Sequence, residues 1–354
     1  RCARPGDLGT SPAYDFGPDS PPAPPYGIGN LGARYRYDPQ TDSCEIIDML
    51  KGDSWDSNRD SPLNATGVNL QVGDRLLAVN GVRLNKKSSP TAALVNLAGQ
   101  EVLLTVHSSQ TQENRSVTVK TLRSEAPVMY RQWVDQNRAF VHQMTAGRVG
   151  YIHIPDMSAA GYAEFHRGFL AEVDREALIV DERYNRGGHV SGLLIQKLAR
   201  RRVGFSIDRW GDEAAPYPEE TMTGPMVSLV NEWAGSDGDI FAHAFKLFGL
   251  GPVIGMRTWG GVVGIWPRHL LVDGTITTQP QFAFYFDDVG WGVENYGTDP
   301  DIEIDITPQD HIKGQDPQLN KAVEQILKAL EDNPPSKPDF SERPVKSLPQ
   351  LPKS

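Results

Sequence analysis

The sequence predicts a small, mainly β domain followed by a larger α/β domain whose sheet is mostly parallel. Three observations lead there. The chain has 354 residues, too many for one typical core and suited to two. Its first third holds short strand-like segments broken by turn residues. From about residue 127 onward, buried strand patterns alternate with helical ones.

The elements follow in chain order. Residues 18–25, Pro-Asp-Ser-Pro-Pro-Ala-Pro-Pro, sustain neither a helix nor an inner strand, because proline fixes φ and removes donors. Residues 1–25 therefore read as the end of an upstream segment and a linker. The chain opens at Arg1 without a methionine or a signal-peptide layout, and looks like a piece of something longer. Residues 33–37 and 44–50 read as strands, and the run from Val72 to Val82 as another strand with a tight Asn80-Gly81 turn. Residues 90–97 have the spacing of a short helix, and 101–106 and 115–120 are two more strands. Gly73-Asp74-Arg-Leu-Leu-Ala-Val-Asn80-Gly81, in that order of elements, resembles the PDZ family, which places the first domain at 26–124. The resemblance implies peptide capture by strand addition, with Leu31 and Gly32 in the loop whose amides receive a peptide carboxylate.

In the second domain, 125–332, strands are expected at 149–155, 177–181 and 226–231, and helices at 159–175, 190–201, 240–250 and 318–332. Strand-helix-strand repetition implies right-handed crossovers between parallel strands. The Pro-, Lys- and Ser-rich tail, 333–354, is expected to be disordered.

Composition excludes several classes. With Lys+Arg 35 against Asp+Glu 45, the net charge of −10 repels a phosphate backbone, so nucleic acid is not a partner. No apolar run approaches the roughly eighteen residues that span a membrane. Cys2 and Cys44 build no disulfide framework and no zinc site, which fits a reducing cytoplasm. No metal or other cofactor is implied. Asn64-Ala-Thr and Asn114-Arg-Ser match the glycosylation triplet but carry no weight outside a secretory context.

The chemistry gathers at two strand-to-helix turns. Ser236 stands between Gly235 and Gly238, ahead of an apolar helix; glycines permit a sharp turn, and a helix amino terminus stabilises developing negative charge. Serine and aspartate are also ordinary helix caps, so the local pattern leaves both readings open. Asn185-Arg-Gly187-Gly188 forms a second such turn, and adjacent parallel units put both turns at the carboxyl end of the sheet. There the amides of Gly188 and Asp237 are placed to bind an oxyanion. A phosphate loop is disfavoured: no lysine follows in register and no GxGxxG is present. Glu294, in Gly290-Trp-Gly-Val-Glu-Asn-Tyr-Gly297, reads by composition as a solvated charge.

The runs Asn231-Glu-Trp-Ala-Gly-Ser-Asp-Gly-Asp, Arg257-Thr-Trp-Gly-Gly, Asp181-Glu-Arg-Tyr-Asn-Arg-Gly-Gly and Val293-Glu-Asn-Tyr-Gly-Thr-Asp-Pro-Asp resemble the tricorn core proteases over roughly residues 8–332. The resemblance implies a crotonase/ClpP-like core and kinship with the carboxy-terminal processing peptidases. It implies a cytosolic serine peptidase that cleaves short peptides downstream of the proteasome. Ser236 becomes the nucleophile, Glu294 a member of the active-site network, and Gly188 with Asp237 the oxyanion hole. A homo-oligomer is left open.

One departure stands out. The family has a Ser-His pair upstream of the PDZ domain; here Leu8-Gly-Thr-Ser11-Pro12-Ala-Tyr-Asp15 matches in its flanks and has proline for histidine. Proline has no side-chain nitrogen to accept the serine proton. His189, beside the glycine turn, is the first substitute by location; His243, seven residues past Ser236, is about 10 Å along the helix. The competing reading is a peptide-binding pseudoprotease that holds peptides in its PDZ domain and cleft without turnover. A crotonase-like acyl-CoA enzyme fits the PDZ domain and the Gly-Ser-Asp-Gly turn poorly.

Overall fold

The computed structural model describes residues 26–208, 214–265, 269–274, 276–277, 280–335 and 338–341. Ser11, Pro12, the proline run and the tail beyond residue 341 lie outside them. The chain divides into two compact units. Among the described residues, one holds 26–140 with 269–277, and the other holds 141–265 and 280–341. The division by contacts falls at Phe140, inside a helix.

The first unit is an antiparallel sheet in the order β1-β2-β3-β5-β6, with β4 paired to β3. Its strands are β1 (Ala33–Asp38), β2 (Ser43–Met49), β3 (Arg75–Val79), β4 (Val82–Arg83), β5 (Glu101–His107) and β6 (Asn114–Lys120). Period-two burial explains the sheet: β5 buries Val102, Leu104 and Val106 and turns Glu101 and Leu103 outward. The Asn80-Gly81 turn has positive φ at both residues, as a type I′ hairpin demands. Helix α1 is shorter than its sequence pattern, Pro90–Ala93, and the chain leaves it through Asn96 at φ 64°. Ile46, Leu63, Leu76, Leu84 and Leu104 are core residues. Helix α2 (Ala126–Met144) was not anticipated from sequence; its Val128 packs on Leu50 and Leu122.

The second unit is a five-stranded sheet. Strands β7 (Val149–His153), β8 (Ala177–Asp181), β11 (Met226–Val230) and β12 (Val253–Gly255), then a short strand Ile302–Glu303, lie side by side in sequence order, every pair parallel. Between them run α3 (Ala159–Glu172), α4 (Ser191–Leu198) and α5 (Asp237–Leu247). All residues of β7, β8 and β11 are buried, which is why they read as continuous apolar runs and not as alternations. A hairpin of β9 (Gly204–Ile207) and β10 (Ala214–Tyr217) intervenes before β11.

A buried ionic cluster closes the sheet against the last helix, Pro317–Asp332. Arg183, 1% exposed, donates from Nε and Nη2 to Asp181 and from Nη1 to Asp316 Oδ2 at 2.8 Å and Gln318 Oε1 at 3.2 Å. Asp316 is also the N-cap of that helix, accepting from the Leu319 amide. Burial pushes the Asp181 carboxyl up; Arg183, with His153 and the Tyr151 hydroxyl, more than offsets this and holds it below its usual value. Removing one partner leaves an uncompensated buried charge. Arg183→Ala is therefore expected to lower the unfolding free energy by about 3–5 kcal/mol in denaturant titration; a loss under about 1 kcal/mol would show that the cluster is not what fastens the helix.

Candidate active site

Because β8 and β11 pair in parallel, with Leu229 opposite Asp181, the segments that leave them emerge at the same end of the sheet. Each carries one of the turns singled out from sequence, and the two are bolted together. The Gly235 amide donates to the Asn185 carbonyl at 3.0 Å, and the Tyr184 amide to Asn231 Oδ1 at 2.9 Å. The Asn185 side chain accepts from the Gly187 amide at 2.8 Å and donates to the Ile154 carbonyl at 2.9 Å. The Asp237 carboxylate accepts the Ser191 amide and hydroxyl, tying the start of α5 to the start of α4.

Ser236 sits at the N-cap of α5 with φ 58° and ψ −120°. A side chain held there costs of order 1–3 kcal/mol and persists only where the surroundings over-determine it. Its hydroxyl makes no capping bond and has no hydrogen-bond partner among the described residues. Capping is thus not its role. Gly187, at φ 73°, lies directly against it: a Cβ there would stand 2.6 Å from Ser236 Cβ and 3.1 Å from the Asp237 nitrogen. Gly188 forms a parallel bridge to Met157, in which the flanking Gly187 carbonyl and His189 amide bond Met157. That pattern turns the Gly188 amide away from Met157. The Asp237 amide, first in its helix, has no intrahelical acceptor. Ser236, Asp237, Gly187 and Gly188 are therefore brought together.

Glu294 is half-buried, and its described hydrogen bonds do not go to Ser236. Its Oε2 accepts the amides of Val262 at 2.9 Å and Val263 at 2.6 Å, holding the loop after β12. That loop begins beside the Ser236 turn. The Trp259 amide donates to the Ala234 carbonyl at 2.9 Å, and its ring lies so close that a Cβ on Gly235 would stand 2.7 Å from it.

Several histidines have their partners elsewhere. His153 is buried against the Arg183 carbonyl, and burial holds its pKa below the usual value. His243 pairs with Asp288 at 3.0 Å and packs edge-on against Phe286. His142 pairs with Glu172. His189 is exposed beside Gly188. Ser11 and Pro12 fall outside the described residues.

In the antiparallel unit, Leu31 is buried and Gly32 has φ 62°. The Gly32 amide already donates to a carboxylate of the same chain, Glu125 Oε1, at 2.9 Å. The neighbouring β1 pairs only with β2 and leaves its other edge open among the described strands.

Beneath the Ser236 turn lie carboxyls that sequence reasoning passed over. Asp239 is wholly buried; its Oδ1 accepts the Gly260 amide at 2.8 Å, and Oδ2 has no partner among the described residues. Burial pushes its pKa from 3.8 to about 6, against the pull of the Thr258 hydroxyl and the Gly260, Ser236 and Gly261 amides. Both oxygens of Glu182 are buried without partners, and burial, then Asp239, Asp181 and Asp237, holds it well above its usual value. Among the described residues no cluster is arranged to hold a metal ion, and no helix is long and apolar enough to cross a membrane.

A carboxyl whose folded pKa exceeds its unfolded one binds more protons when folded. The stability from Asp239 is full below about pH 4 and is lost as pH rises through about 6, with Glu182 extending the fall upward. Unfolding free energies measured between pH 4 and 7 are expected to decline, and Asp239→Asn to flatten that decline by about 3 kcal/mol. Equal slopes in both proteins would contradict the buried-carboxylate account.

Comparison with known proteins identifies the family of both regions. Residues 148–304 match the model of peptidase family S41, and residues 29–124 that of the tricorn protease PDZ domain. The chain is 45% identical over 339 residues to tricorn protease homolog 1 of Streptomyces coelicolor, covering 94% of this chain and 31% of that protein. It is 46% identical over 325 residues to the tricorn protease homolog of Saccharolobus solfataricus, covering 92% of this chain and 30% of that protein. The crystal structure of the tricorn protease superposes with a TM-score of 0.81 at 39% identity, over 86% of this chain and 29% of that one. The chain thus spans about a third of the length of these relatives. It belongs to the tricorn-type serine peptidases of family S41, with a tricorn PDZ domain ahead of the S41 region.

Proposed function

We propose that this chain carries the hydrolytic centre of a peptidase that cleaves short peptides in the cytoplasm, downstream of the proteasome, with Ser236 as nucleophile. The observation that carries this reading is the strained Ser236 turn packed on Gly187, which leaves its hydroxyl unbonded among the described residues. In the proposed step, Ser236 Oγ attacks the scissile carbonyl carbon and a base takes the hydroxyl proton. The amides of Gly188 and Asp237 receive the oxyanion, and the α5 dipole adds to its stabilisation. Glu294 acts through the Val262–Val263 amides that it fixes. Collapse of the intermediate expels the amine, which takes the proton, and water then releases the acyl group.

Pro12 supports a second reading, peptide binding without turnover, because the resemblance places the family's general base there. Loss of the histidine of a serine triad costs on the order of a millionfold in turnover, while oxyanion stabilisation and binding retain about a thousandfold or more over water. Pro12→His is expected to raise peptide hydrolysis by about three orders of magnitude or more, and Ser236→Ala to abolish the gain. Fast hydrolysis before the substitution would point to another base, with His189 the first to replace. A folded Pro12→His protein as inactive as its parent would favour the binding reading.

For the PDZ domain we propose peptide capture along the open β1 edge, with the peptide carboxylate competing with Glu125 for the Gly32 amide. Glu125→Ala is expected to tighten binding of peptides ending in a free carboxylate by about tenfold and to leave their carboxamide counterparts unchanged, as read by fluorescence anisotropy. Equal gains for both would place the peptide carboxylate elsewhere.

A further inference from the structure

Ser236 and Glu294 lie on separate segments with no described hydrogen bond between them, so the groups that join those segments set their relative position. The segments meet at Asp239. It stands three residues after Ser236 in the first turn of α5, wholly buried. Its carboxylate accepts the Gly260 amide at 2.8 Å, and the Ser236 amide is among the groups that pull on its charge. Its backbone carbonyl accepts the Thr298 hydroxyl at 3.1 Å. The Thr298 amide in turn donates to the Thr258 hydroxyl at 2.8 Å, and the Thr258 amide to the Thr298 carbonyl at 3.1 Å. The Gly260 carbonyl accepts the Asn295 amide at 2.7 Å, one residue past Glu294. Three segments, 236–239, 258–263 and 294–298, are thus joined around one residue, whose side chain holds the second and whose backbone carbonyl holds the third.

An aspartate in the first turn of a helix ordinarily serves the helix dipole from the surface. Asp239 does not fit that role. It is buried with one oxygen unpaired, a costly placement for a charge that only needs to face a helix end. Its neighbours are the nucleophile turn on one side and the Glu294-held loop on the other.

We propose that Asp239 is a positioning residue for the Ser236 reaction, holding the Thr258–Val263 loop, and with it Glu294, in register with the turn that presents the serine. The inference rests on the reading of Ser236 as nucleophile. A small error of register at a reacting centre is expensive, since misplacement by about 1 Å can cost about a hundredfold in rate.

The test uses Asp239→Asn in the whole chain, with two readouts that a merely structural residue would move differently. Hydrogen–deuterium exchange of the segment 257–264 is expected to rise about tenfold, while the melting temperature at pH 7 holds or increases. Labelling of Ser236 by a fluorophosphonate, read in the Pro12→His background with and without Asp239→Asn, is expected to slow by about tenfold or more at unchanged half-saturation. Thr258→Val, which removes the hydroxyl that bonds the Thr298 amide and pulls on the Asp239 carboxyl while leaving the carboxyl itself in place, is expected to give both changes at smaller size and serves if the Asn protein does not fold. Unaltered exchange in 257–264 overturns the proposal, as does raised exchange with an unaltered labelling rate. Labelling of the parent that survives Ser236→Ala removes the nucleophile assignment instead, and the exchange result then decides whether Asp239 holds the loop.

Discussion

The close approach of Gly187 to Ser236 is the constraint on which the rest of the site depends. A side chain at residue 187 would collide with Ser236 Cβ and the Gly235 carbonyl, so the two turns can lie in contact only because residue 187 has none. The contact requires both turns at the same end of the sheet, which the parallel register of β8 and β11 provides. It also requires that Ser236 keep a conformation disfavoured for a side-chain-bearing residue. The Gly235–Asn185 and Asp237–Ser191 bonds hold it there. Fold and site are therefore one argument: neighbouring parallel strands deliver two turns, and hydrogen bonds between the turns maintain the strain.

Much of this was legible in the sequence, for identifiable reasons. Strands buried on both faces announce themselves as apolar runs, and Ala177–Asp181 and Met226–Val230 lie where such runs predict them. The glycines around residues 187 and 235 mark turns by composition alone. What escaped is what depends on distant partners or weak local patterns. The β9–β10 hairpin is short, and Pro216 within it disguises a strand. Helix α2 begins just beyond the β unit, where a single boundary near 125 had been drawn. Asp239 gave no signal, because its carboxylate's partner is Gly260, twenty-one positions away, and the Asn185 bond to the Ile154 carbonyl was equally hidden although its turn was not. Glu294 could be named only by resemblance, and resemblance did not say that it holds amides rather than the serine.

The PDZ loop shows the same limit in another form. Sequence locates the Leu31-Gly32 turn, and the turn receives a carboxylate, but the carboxylate belongs to Glu125. A ligand must exceed this internal competitor, whose effective concentration is set by the chain itself. Tyr35 reinforces the point: its hydroxyl is buried without a partner among the described residues, and burial, then Glu125 and Cys44, raises its pKa. The loop is thus partly filled from within, and its affinity for peptides is decided by that filling as much as by the open edge of β1.

Pro12 and the Ser236 turn bear on different parts of the reaction. On the proposed reading, Pro12 stands where a proton acceptor is expected, whereas the proposed oxyanion donors, the amides of Gly188 and Asp237, are backbone groups that no side chain supplies. Those amides act wherever charge develops, whichever base starts the attack. The stability spent on the site is likewise independent of the base: the strained serine and the buried Asp239 carboxyl both weaken the fold at neutral pH, and neither is needed to build a parallel sheet. On the proposed reading, a deficit at residue 12 is one of proton transfer, separable in principle from binding and from stabilisation of the tetrahedral intermediate.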